Sequence, residues 1–88
     1  MHYVRGVEYE SGCRLLLTFE DGTRRLVDLG PYLDGEVFEP LRHLAYFKTV
    51  SVNADLDTIV WDNGADFSPD FLYEIGTEVA GQSAAGRA

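Results

Sequence analysis

The segment from Arg14 to Leu29 constrains the chain most, because two runs of alternating apolar and polar residues flank Glu20-Asp21-Gly22. Glycine reaches the left-handed conformation that closes such loops, so Arg14–Phe19 and Arg24–Leu29 are expected to form a β-hairpin. Loop length decides which side chains share a face. A three-residue loop sets Phe19 opposite Thr23 and places Leu15, Leu17, Phe19 and Val27 on one face. The other face then pairs Arg14 with Asp28, Leu16 with Leu26, and Thr18 with Arg24, with opposite charges matched at one end. A two-residue Asp21-Gly22 loop puts Asp28 beside Leu15 and Leu17 and scatters apolar residues over both faces. The three-residue loop is therefore the expected one.

The same reading extends along the chain. His2 to Glu10 alternates around Tyr3, Val4, Val7 and Tyr9 and is expected to be a strand interrupted by Gly6, with Ser11-Gly12 as its turn. Gly30-Pro31 stops the third strand, and Asp34-Gly35 turns the chain. Pro40 suits a first helical position, and Leu41, Leu44 and Ala45 at three-four spacing predict a helix of about two turns. Phe47–Val52 and Thr58–Trp61 predict a second hairpin across the polar bend Asn53–Asp57. Ser68-Pro69-Asp70 carries helix-opening chemistry, with Phe71, Leu72 and Ile75 toward the sheet and Gly76 as the stop. The expected fold is α+β: about five mostly antiparallel strands (two hairpins plus an N-terminal strand) and two short helices. Residues 1–76 are expected to be one domain. Residues 77–88, rich in Gly, Ala and Ser, are expected to form a flexible tail.

Fifteen acidic residues against seven basic ones leave a formal charge of −8. Such a surface opposes phosphate backbones and anionic lipid heads, so neither direct nucleic-acid contact nor membrane association is expected. It steers basic proteins inward. The single cysteine, Cys13, excludes an internal disulfide framework, and no apolar run approaches the ~20 residues of a membrane span. A cytoplasmic location is expected. A chain of 88 residues buries only about 60% of the surface its unfolded form exposes, so association with another protein, or with a second copy as a homodimer, would add to its stability.

Three groups of residues invite a chemical reading. Asp62, Asp66 and Asp70 recur every four positions and would serve a small metal-dependent or acid–base enzyme if they converged; otherwise Asp62 and Asp66 suit turns and Asp70 a helix start. Asn53, Asp55 and Asp57 imitate the opening of a calcium loop, but the sharp-turn glycine position holds Thr58 and the bidentate glutamate position holds Gly64. Cys13 and His43 are the only thiol-and-base candidates, and nothing in the order of elements brings them together. Glycines fall into no phosphate cradle, so no cofactor is expected. Arg24 and Arg25 are read as offsetting the acidity of Glu20 and Asp21. No catalytic, cofactor or metal residue is assigned. The aromatic residues Trp61, Phe67, Phe71 and Tyr73 are core by default in so small a chain. Any left exposed beside the carboxylates would form an interaction patch of Trp61, Asp62, Asp66, Phe67, Asp70 and Tyr73.

Several segments in order resemble one known family. They are Leu17 to Gly22 (Leu-Thr-Phe-Glu-Asp-Gly), Val27-Asp28-Leu29, Val37-Phe38-Glu39-Pro40-Leu41, Phe47, and Ile59 to Pro69 running into Leu72-Tyr73. Together they are similar to the small bacterial family catalogued as domain of unknown function 2442. The resemblance implies a compact α+β domain and no established activity. Genes of that family often stand beside those of another small uncharacterised family, which implies a toxin–antitoxin-like pair. The leading expectation is a non-catalytic protein-interaction module, the acidic partner of such a pair. The alternatives are the small enzyme built on Asp62, Asp66 and Asp70, and a self-associating structural domain.

Overall fold

The structure, a computed structural model, describes residues 1–79. Strands β2 (Arg14–Phe19) and β3 (Arg24–Asp28) form the expected hairpin in the expected register, with Arg14 opposite Asp28, Leu16 opposite Leu26 and Thr18 opposite Arg24. The Phe19 N–H donates to the Thr23 carbonyl at 2.9 Å, and Gly22 takes φ 90°. Asp21 braces the loop, its Oδ1 accepting from the Thr23 N–H at 3.0 Å and the Thr23 hydroxyl at 2.7 Å. Leu15, Leu17, Phe19 and Val27 are all buried on one face.

Strand β1 (Val4–Ser11) pairs antiparallel with β2 and shifts register between Val4 and Gly6 and again between Tyr9 and Ser11. The first shift is the physical content of the Gly6 interruption: an extra residue restores Val7 and Tyr9 to the core face, opposite Leu17 and Leu15. Strands β4 (Ser51–Asn53) and β5 (Thr58–Val60) form the second hairpin as a separate two-stranded sheet.

The chain between the sheets departs from expectation. A 3-10 turn at Gly30–Tyr32 is followed by another at Glu39–Arg42 and by α1 (Leu44–Phe47). The single two-turn helix from Pro40 does not form, because His43 is extended at φ −87°, ψ 120°. The break redirects the chain so that Leu41 and Phe47 both reach the core, while Leu44 and Ala45 face outward. Phe47 consequently ends a helix and does not open a strand. Its carbonyl accepts from Trp61 Nε1 at 3.0 Å, which satisfies the one polar atom of a buried indole.

Helix α2 (Pro69–Ile75) begins at Ser68-Pro69 with Asp70 in its first turn, but the Ser68 side chain makes no capping bond. Leu72 is buried, and Phe71, Tyr73 and Ile75 pack against the core as partly buried residues. Gly76 ends the helix in an extended conformation and delivers Thr77–Glu78 to β3 as β6. Arg25 pairs with Glu78 and Leu26 with Thr77, and the Val79 N–H donates to the Arg24 carbonyl at 2.9 Å. Among the described residues there are thus six strands, with the larger sheet ordered β1-β2-β3-β6. Residues 77–79 leave the expected tail because β3 offers an open backbone edge, and ladder bonds need no particular side chain. The rest of that tail, residues 80–88, lies outside the described residues.

Gly76 sits where no side chain fits. A Cβ there would stand 2.9 Å from Arg25 Cβ, 3.1 Å from the Leu72 carbonyl oxygen and 3.1 Å from Val27 Cγ2. Gly76→Ala is expected to destabilise the fold by about 1–3 kcal/mol, the usual range for overpacking, read from the midpoint of urea unfolding.

Candidate functional site

The six residues of the expected interaction patch occupy three different settings. Trp61 and Phe67 are core, 3% and 8% exposed, so neither side chain offers an anchor to a partner. Phe67 stacks on Phe38 with ring centroids 4.8 Å apart and lies edge-on to Trp61 at 6.1 Å. Asp62 and Asp66 are exposed on the turn that follows β5. Asp70 and Tyr73, on α2, belong to a separate cluster around the N-terminal segment.

The turn is organised by Asn63, not by the aspartates beside it. Asn63 Oδ1 accepts from the Ala65 N–H at 3.0 Å, its Nδ2 donates to the Val37 carbonyl at 2.9 Å, and its backbone N–H donates to the Tyr46 hydroxyl at 2.8 Å. An asparagine can do this because it accepts and donates at once, whereas an ionised aspartate only accepts. These bonds hold the turn against the segment carrying Glu36, Val37 and Glu39. Val37 is an exposed apolar side chain at 44%. Among the described residues Glu36, Glu39, Asp62 and Asp66 take part in no ion pair. The exposed Val37, between Glu36 and Glu39 in the chain, is thus tied through Asn63 to the turn that carries Asp62 and Asp66. A cavity of about 340 Å³ lined by Leu33, Gly35, Glu36, Glu39 and Arg42 lies at its side. Arg42 is already engaged, through the Leu33 carbonyl at 3.0 Å and Asp34 at 3.2 Å.

The second cluster escaped the sequence reading. The His2 ring stacks on Tyr73 with centroids 3.5 Å apart and planes 4° from parallel, and the His2 backbone N–H donates to Asp70 Oδ1 at 2.7 Å. The Arg25 guanidinium lies 3.8 Å from the centroid of the Tyr73 ring and donates to the Gly76 carbonyl at 3.2 Å. Tyr73 in turn donates its hydroxyl to Asp21 Oδ2 at 3.0 Å. Arg25 is therefore a packing residue under α2, not a counter-charge to the hairpin loop. Parity was the available signal: two residues from Val27 on a strand, it shares the core face, opposite Leu17.

Against known proteins, a family described as "Protein of unknown function (DUF2442)" matches residues 4–78, from the first residue of β1 to the last of β6. The chain belongs to the DUF2442 family. No curated protein and no solved structure matches it. The DUF2442 match spans both sheets and both α-helices of the described residues, so the two surface clusters described above lie within it except for His2, which precedes it.

The remaining candidates of this DUF2442 chain are placed as follows. Among the described residues no three His, Cys, Asp or Glu side chains are grouped to hold a metal ion. Asn53 Oδ1 accepts from the N–H groups of Asp55 and Leu56, and Asp57 is paired with Arg5 at 2.7 Å, so that bend is a structural turn. Cys13 is partly buried beside Gly30, and His43 is exposed between the 3-10 turn and α1. No helix among the described residues is long and apolar enough to cross a membrane.

Hydrogen bonds from the Thr23 side chain and backbone, more than those from Tyr73, hold the Asp21 carboxyl below its usual pKa. A lowered folded-state pKa contributes stability above the unfolded value and loses it as pH falls through the folded one. Asp21→Asn is therefore expected to lower Tm at pH 7. The gap to the parent should close as pH falls below about 4, the ordinary aspartate range, in paired thermal melts.

Proposed function

We propose that the protein is a non-catalytic interaction module whose acidic surface engages a basic partner protein, as the acidic member of a toxin–antitoxin-like pair. The observation that carries this reading is the exposed Val37 in the company of Glu36, Glu39, Asp62 and Asp66, which form no ion pair among the described residues. Exposed carboxylates without counter-charges raise the local concentration of cationic surfaces and speed their encounter. A desolvated apolar centre inside a charged rim is the usual anatomy of a protein interface. The turn is already braced by Asn63, so little conformational entropy is lost when a partner docks. The family resemblance supplies the class of partner, the product of an adjacent gene.

The test is capture of the full chain's partner from the native cell at low and high salt, with identification of whatever is retained. The expected result is a basic protein from the adjacent gene, held at low salt and loosened as ionic strength rises. A variant carrying Glu36→Gln, Glu39→Gln and Asp62→Asn should bind it roughly tenfold more weakly, the combined effect of three charges. Failure to retain any protein at either salt would remove the proposal.

A further inference from the structure

Between the N-terminal segment and the β2–β3 loop lies a cavity of about 240 Å³, lined by Met1, His2, Tyr3, Phe19, Glu20 and Asp21. We propose that this cavity receives an arginine side chain of a partner protein, a contact separate from the Val37 surface that rests on the interaction reading above only for its source.

The lining has the chemistry a guanidinium needs and little that suits other ligands. Tyr3, His2 and Phe19 supply aromatic carbon, and Glu20 and Asp21 line the cavity with carboxylates, Glu20 through the oxygen that Arg5 leaves free. Aromatic faces attract cations through their quadrupole, and a planar guanidinium both stacks on rings and bonds carboxylates side-on, which an ammonium cannot do. A volume of about 240 Å³ is enough for one long side chain. An anion would meet two carboxylates, and a bare metal ion would face aromatic walls with too few oxygen ligands.

The carboxylates are placed and charged for this role. Asp21 is fixed through Thr23 and Tyr73, and the same bonds hold its carboxyl below the usual pKa. Glu20 uses Oε1 for Arg5 at 3.1 Å, and its Oε2 takes part in no hydrogen bond among the described residues. The chain already uses this chemistry twice on its own account. Arg5 lies 5.5 Å from the Tyr3 ring centroid while bonding Glu20, and Arg25 lies 3.8 Å from that of Tyr73. The cavity adjoins the first of these: Tyr3 and Glu20, which line it, are the residues Arg5 already touches, and Glu20 Oε2 and the faces of His2 and Phe19 extend the same chemistry to a second guanidinium.

The test titrates the full ¹⁵N-labelled chain with Nα-acetyl-arginine N-methylamide, following amide shifts, beside the uncharged citrulline analogue of the same shape. The expected result is saturable shifts centred on Tyr3, Phe19, Glu20 and Asp21 with the arginine probe and none with the citrulline one. Glu20→Gln, an exposed position, should weaken binding roughly tenfold, as loss of one charge-assisted contact does. Tyr3→Leu, which keeps an apolar wall without the ring, should weaken it as well. Thermal melts confirm that both variants fold. Equal shifts from the citrulline probe, shifts as large at Glu36, Glu39 and Asp62 as at the cavity, or an unchanged Glu20→Gln affinity would each overturn the proposal. The probe is read without the partner, so failure here leaves the capture result standing, and failed capture leaves the probe result interpretable.

Discussion

Everything else in the molecule is arranged around the register of the β2–β3 hairpin. One residue more or less in its loop would exchange the two faces of a strand, moving Leu15, Leu17 and Phe19 from core to solvent. The loop Glu20-Asp21-Gly22 prevents this with a left-handed glycine and an aspartate that binds Thr23 twice. On the face so defined stand Leu15, Leu17, Phe19, Val27 and Arg25. The four apolar side chains form the sheet's contribution to the core, and each buried leucine or phenylalanine is worth about 1.5–3 kcal/mol relative to exposure. The arginine forms the bed on which Tyr73 of α2 lies.

The surface inherits its geometry from that same loop. Asp21 serves the turn, receives the Tyr73 hydroxyl and lines the N-terminal cavity, so one carboxylate links folding to the place where charge is displayed. At the other end Asn63 plays the corresponding part, tying the turn after β5 to Val37 and Tyr46. In both places a short polar side chain satisfies backbone groups and leaves neighbouring carboxylates facing water. This explains how a chain of charge −8 stays folded: its acids stand mostly at the periphery, where water screens their mutual repulsion. Among the described residues, four carboxylates are tied to arginines at Arg5, Arg24 and Arg42.

The α+β class, both hairpins, the register of the first, and the start and stop of α2 were legible from alternation and turn residues, because these are local consequences of backbone stereochemistry. The core status of Trp61 and Phe67 followed from the scarcity of large side chains in 88 residues. The break at His43 was not legible. Leu41, Leu44 and Ala45 satisfy helical spacing, and only the position of the core relative to Phe47 makes an interrupted path better than a continuous helix.

What the sequence alone determined is therefore the set of elements and the excess of negative charge, both properties of residues and their immediate neighbours. Tertiary structure decided which distant residues meet: His2 with Tyr73, Arg25 with Tyr73, Asn63 with Val37, and Thr77–Glu78 with β3. Stacking, hydrogen bonds to backbone carbonyls and an open strand edge accept many side chains, so composition and spacing carry no mark of them. Aspartates four apart at 62, 66 and 70 likewise looked alike in the sequence. The fold sent two to a solvent-facing turn and one to the N-terminal segment, because the turn and α2 meet different surfaces.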